Sequence, residues 1–224
     1  MTPSRLLAKS GVSPRQAPTI RDHTAHVMNA AKRLIEVTGA AQLIAIGLAP
    51  AEWFDRFLRD ILLAAFLHDL GKANDHFQEM IRGNATQFQG LRHEAVSFLI
   101  ARETAFQEWL RPALNDARAM ELVLWAVAGH HRKFPPACPS DYCKPSMRVY
   151  LSHQDFYDAL LLGAQEFSLN TPPQFSSDRH LSMLRSKNPV GEFEEAGIEA
   201  DDIIKSMSDE ERRYVAALKA CLIC

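Results

Sequence analysis

The sequence predicts an all-α fold, and three observations carry that prediction. Apolar residues recur at spacings of three and four along most of the chain, as one buried helix face requires. No stretch shows sustained apolar–polar alternation, and no internal repeat is present. The composition, 47% hydrophobic and 23% charged over 224 residues, is that of a globular protein able to bury a real core.

The elements follow in order. Residues 1–18 are polar and basic with scattered prolines, and are expected to be a flexible lead-in to a domain spanning 19–224. From Thr19 the pattern is helical, with Val27, Ala30, Ala31, Leu34 and Ile35 on one side and Gly39 as a stop. Pro50 opens a strong helix, Ala51 to Asp69, whose tail Ile61–Leu67 is apolar all round and therefore central. Asn74 caps a short helix to Arg82, which Gly83-Asn84 ends. His93 to Leu110 is helical, with Val96, Leu99 and Ile100 on one side. Asn115 is placed to cap a helix running through Trp125 to His131. Four prolines between Phe134 and Pro145 demand a loop. Ser152 is placed to cap a helix to about Phe167, residues 168–200 are expected to be mobile, and a last helix begins near Asp209.

The formal charge of −2 gives no global field for nucleic acid, although a local basic strip can act without one. No apolar run approaches the ~20 residues of a membrane span, and no secretory signal is visible. Four cysteines make no disulfide framework at this length, so a cytoplasmic monomer with free thiols is expected. Cys221-x-x-Cys224 has zinc spacing, but it lies in an apolar helix, and the Cys138–Cys143 gap is loose.

Two greasy segments end in metal-ligand residues. Ile61–Leu67 runs into His68-Asp69, and Leu122–Ala128 runs into Gly129-His130-His131. A helix C-terminus carries about half a negative charge and bare carbonyls, so it favours a cation. His23 and His93 extend the candidate ligand set to His23, His68, Asp69, His93, His130 and His131. Imidazoles favour transition metals, and a carboxylate can bridge two ions. So many donors exceed one tetrahedral site. Two divalent ions fit better, Mn, Ni, Co or Fe with Mg also allowed, about 3.5–4 Å apart and activating a water for attack on phosphorus. His76, His153 and His180 read as core or exposed histidines.

The ordered set His23, HDLGKANDHFQ (68–78), RHEAVS around His93, and His130-His131 resembles the HD superfamily of metal phosphohydrolases. More narrowly, it resembles the HD nuclease domain of the type I CRISPR-associated helicase-nuclease. The resemblance implies an HD-domain helical bundle with long irregular loops. It implies that His68 and Asp69 contact the metals with Asp69 bridging, that His23 serves the first ion, and that His93, His130 and His131 serve the second. His26 is the reserve for His23. Lys72 matches the family's lysine, which would pair with a phosphate or hold Asp69. The family completes its first metal with an aspartate on a late helix. Tyr214–Cys224 resembles the lead into that motif, so the sequence is expected to be cut just short of the ligand, from a longer protein; Asp201 and Asp202 precede this helix.

Arg92, Arg132 and Lys133 flank the motifs and are expected to meet a phosphate chain, with Phe134 and Tyr142 placed to stack on bases. There is no P-loop motif and hence no ATP site of that kind in this sequence. The resemblance supplies the rest: single-stranded DNA as substrate, an ATP-dependent helicase domain or subunit, and a guide-RNA surveillance complex. An HD phosphohydrolase of small nucleotides is the competing reading, and a degenerate docking module the third.

Overall fold

The computed structural model describes residues 2–10, 16–83, 90–114, 116–129, 146–182 and 205–222. Its helices are α1 (Ile20–Ala45), α2 (Pro50–Leu67), α3 (Asp75–Ile81), α4 (His93–Ala101), α5 (Thr104–Leu110), α6 (Ala117–Ala128), α7 (Gln154–Glu166) and α8 (Asp209–Cys221). One 3₁₀ turn, Leu70–Lys72, follows α2, and another, Arg111–Ala113, follows α5. The all-α expectation holds, with one addition.

Helix α2 is the axis of the domain. Every side chain from Asp60 to Leu67 is buried, as an all-round apolar tail requires. Helices α1, α4, α6 and α8 pack against it, and α7 lies along α1. Helix α7 comes close enough to α2 that a Cβ on Gly163 would sit 2.6 Å from Phe66 Cζ. The stop expected at Gly39 is absent, and α1 runs on to Ala45. That glycine serves packing instead: a Cβ there would meet Ile35 Cγ2 at 2.8 Å and Phe54 Cε2 at 3.0 Å.

The segment His93–Leu110 is two helices, broken at Arg102-Glu103. Helix α7 is capped by His153 rather than Ser152, its Nδ1 accepting from Asp155 N–H at 3.0 Å. Helix α6 is capped by Asp116; Asn115 lies outside the described residues, as does the 134–145 loop. Asn74 caps α3 as expected.

The addition is an antiparallel ribbon, β1 (Ser146–Val149) with β2 (Arg179–Ser182), in the register Ser146↔Ser182 to Val149↔Arg179. Strands this short carry too little alternation to read from sequence. The ribbon reaches the chain after Lys72: Asn74 bridges Val149, and Tyr150 N–H donates to Ala73 O at 2.8 Å. Of the stretch 168–200, residues 168–182 are described and end in β2.

The N-terminal segment, expected to be flexible, is anchored among its described residues. Leu6, Leu7 and Ala8 are buried. Leu6 N–H donates to Asp155 Oδ2 at 2.6 Å, and Gln78 both accepts from Leu7 N–H and donates to Leu7 O. A short apolar trio, with its backbone groups paired to distant partners, holds the segment without any helical pattern. Among the described residues no helix is long and apolar enough to cross a membrane.

Candidate metal centre

Helix α2 ends at the buried residue His68, whose N–H still closes the helix on Ala64 O at 2.9 Å. The next residue, Asp69, leaves helical geometry and caps the 3₁₀ turn, and its carboxylate is buried. It is 3% exposed. Four cationic or imidazole nitrogens converge on it.

His23 lies one turn into α1, behind a capping box in which Thr19 Oγ1 accepts from Asp22 N–H and Asp22 Oδ2 accepts from Thr19 N–H. The box fixes the first turn and so the direction of the His23 ring, whose Nε2 is 2.7 Å from Asp69 Oδ2. His68 Nε2 is 2.9 Å from the same oxygen, and Lys72 Nζ donates to it at 2.7 Å. His93, the first residue of α4, meets the other oxygen: its Nε2 is 3.1 Å from Asp69 Oδ1. The two carboxylate oxygens therefore face two different sets of side chains.

His26, the reserve for His23, is exposed one turn away. Lys72 is buried and spends its charge on Asp69, with its ammonium also 5.5 Å from the Phe77 ring centre. Arg92 Nε lies 2.5 Å from Oε1 of the buried Glu94. His130, His131, Arg132 and Lys133 lie outside the described residues, as do Phe134, Tyr142, Asp201, Asp202, Cys138, Cys143 and Cys224. Cys221 is buried, its thiol donating to Gln42 Oε1 at 3.2 Å. His76 is a core histidine between Ser146 O and Gly90 N–H, His153 is a helix cap, and His180 is exposed.

Burial alone would raise the Asp69 carboxyl. The neighbouring His68 charge and the hydrogen bonds from His23, His68 and His93 overcome it and hold the group well below the usual carboxylate range. Burial lowers the His23 imidazole, against the pull of Asp69. Both shifts favour the forms that bind metal, an ionised carboxylate and a neutral imidazole.

The donor set fits a divalent ion. His23, His68 and Asp69 each offer a ligand atom, and those atoms lie within 4.8 Å of one another. His68 Nδ1 is 2.7 Å from Ala65 O, a carbonyl that can only accept. Nδ1 therefore carries a proton, which leaves Nε2, 2.9 Å from Asp69 Oδ2, as the ring atom that can face an ion. A backbone carbonyl orienting a ligating imidazole is the usual outer partner of a metal site.

Sequence reasoning missed the residue that ties these parts together. Ser97 accepts from Gly71 N–H at 2.8 Å and donates to His68 O at 2.9 Å. Its one signal is its position four residues after His93, on the same face of α4.

The HD-domain family model matches residues 20–168, a span that contains every one of these side chains. The chain belongs to the HD-domain family. HD domains bind divalent metals, and this one carries a His-His-Asp cluster suited to it. This HD domain is 39% identical over 192 residues to the "Putative CRISPR-associated nuclease/helicase Cas3" of Myxococcus xanthus (strain DK1622), a match covering 83% of this chain. The match covers 26% of that relative, so the chain spans about a quarter of its length. Among solved structures it is similar to the CRISPR-associated Cas3 HD domain protein MJ0384 from Methanocaldococcus jannaschii. There the sequence identity is 17% and the TM-score 0.44, covering 96% of this chain and 100% of the other.

Proposed function

We propose that this HD domain is a metal-dependent phosphodiesterase that cleaves single-stranded DNA in type I CRISPR interference. The observation that carries the reading is the split carboxylate of Asp69, with His23, His68 and Lys72 on Oδ2 and His93 on Oδ1. A buried aspartate presenting each oxygen to a separate imidazole set is suited to bridging two ions. The identity to a CRISPR-associated nuclease/helicase supports the DNA substrate and the context.

In this reading His23, His68 and Asp69 would hold the first ion, and Asp69, His93, His130 and His131 would hold the second. When bound, divalent ions supply Lewis acidity toward a phosphoryl oxygen and an attacking water. The chain's own residues do the positioning. Asp69 fixes the spacing of the two donor sets, Ala65 O holds the Nδ1 proton of His68, and Lys72 holds the carboxylate through its hydrogen bond to Oδ2. Burial of all four groups excludes bulk water from the inner face of the site. Arg132 and Lys133 would guide the phosphate chain. Arg92, whose Nε pairs with Glu94 beside His93, would join them from the rim of the site. The displaced strand would be presented by a guide-RNA surveillance complex and fed by an ATP-dependent helicase, in the cytoplasm.

The test is degradation of circular single-stranded DNA with added Mn²⁺, Ni²⁺ or Mg²⁺, beside Asp69→Ala and a bis-nitrophenyl phosphate control. Metal-dependent cutting of the circle, lost in the variant, is expected. Turnover of small phosphate esters with the circle intact would replace the nuclease by a small-nucleotide phosphohydrolase.

A further inference from the structure

Helix α2 and helix α4 reach the site from different directions, and each brings one side of the Asp69 carboxylate its histidine. Their relative placement is what sets the distance between the two donor sets. The contact between them is unusually direct. Gly71 sits so close to the start of α4 that a Cβ would fall 2.0 Å from His93 O and 2.4 Å from Ser97 N. Only glycine allows that approach.

One side chain closes the gap. Ser97 is 0% exposed, and its hydroxyl uses both of its capacities on the turn that carries the ligands. It accepts from Gly71 N–H, two residues after Asp69, and donates to His68 O, one residue before it. His68 O is among the last carbonyls of α2, which have no intrahelical partner. The hydroxyl thus brackets Asp69 on both sides in the chain. Because Ser97 is on the same helix face as His93, the clamp also fixes His93 against that turn.

We propose that Ser97 is the positioning residue of the metal centre, setting the spacing between the His23–His68 and His93 sides of Asp69. It ligates nothing itself. Removing the hydroxyl takes a hydrogen bond from each of two buried backbone groups and loosens the turn. The proposal rests on the metal-site reading above.

The experiment measures Mn²⁺ binding calorimetrically to the full chain as wild type, Ser97→Ala and Tyr214→Phe, with apo thermal stability recorded for each. Tyr214→Phe is the control. It removes one buried hydroxyl hydrogen bond, to Asp60 Oδ2 at 2.8 Å, on α8 and away from the site. Ser97→Ala is expected to lower Mn²⁺ affinity by about 10–100-fold, the range for an outer partner of a ligand, while Tyr214→Phe binds as wild type. Wild-type affinity in Ser97→Ala would overturn the proposal, as would an equal loss in both variants, which marks general destabilisation. Failure of the wild type to bind Mn²⁺ would instead sink the metal-site reading itself.

Discussion

Asp60 is a buried carboxylate remote from the ligands, and Asp60→Asn tests how much it costs the fold. It is 0% exposed on α2, faces Tyr214 of α8 through a 2.8 Å hydrogen bond, and has Arg56 Nε at 3.5 Å. Its Oδ1 has no hydrogen-bond partner among the described residues. Burial raises its pKa from 3.8 to about 6, the Tyr214 and Arg56 contacts offsetting part of the rise. Below the unfolded value the group is protonated in both states and contributes nothing to pH dependence. Between there and about 6 the unfolded chain releases its proton while the folded chain keeps it, so stability falls as pH rises. Above about 6 the loss is complete. Two pKa units correspond to about 3 kcal/mol. The asparagine keeps the shape and an acceptor for Tyr214 but cannot ionise. The stability of the variant relative to wild type should therefore rise by about 3 kcal/mol between pH 4 and pH 7. Urea unfolding at several pH values reads this directly, since the midpoint and slope give the free energy. Parallel pH profiles for the two proteins would refute the argument and mean that Asp60 is better solvated or better paired than its burial implies.

Two further outcomes follow from the site. Gly71→Ala places a methyl inside two backbone contacts, 2.0 Å from His93 O and 2.4 Å from Ser97 N. It should cost about 3 kcal/mol or more, roughly 6–12 °C in melting temperature for a chain of this size; an unchanged melt would mean that α4 moves away freely. A divalent ion that binds only the folded chain should stabilise it by about 2.7 kcal/mol at a hundredfold excess over its Kd, roughly 5–11 °C. EDTA should reverse the shift and Asp69→Ala abolish it, whereas a melt indifferent to Mn²⁺, Ni²⁺ and EDTA alike would rule out a bound structural role for metal here.

Much of the site was legible because its signals are local. An apolar run ending in His68-Asp69 can be read from a dozen consecutive residues. So can a cap at Asn74, or a helix from Asp209. Arg92 shows the limit. Its place beside His93 suggested a phosphate contact, but nothing in the sequence showed that its guanidinium also pairs with Glu94. Burial of that glutamate, which a sequence does not display, is what makes such a partner valuable. Gly39 was misread for want of the same information, since a glycine that ends a helix and a glycine that admits a neighbouring Phe54 look alike in one dimension.

The sequence by itself determined the helical class and pointed to His23, His68, Asp69 and His93 as candidate donors, with the lysine beside them. Helical periodicity and ligand chemistry are properties of short segments. Tertiary structure decided how those donors divide between the two oxygens of Asp69, that Ser97 and Gly71 join α4 to the ligand turn, and that Leu6 and Leu7 belong to the core. Those contacts link residues far apart in the chain: His23 to Asp69 over 46 positions, Leu7 to Gln78 over 71, Tyr214 to Asp60 over 154. No local pattern encodes such pairs. They form because burying the α2 tail forces its neighbours together, and the buried polar groups must then find one another.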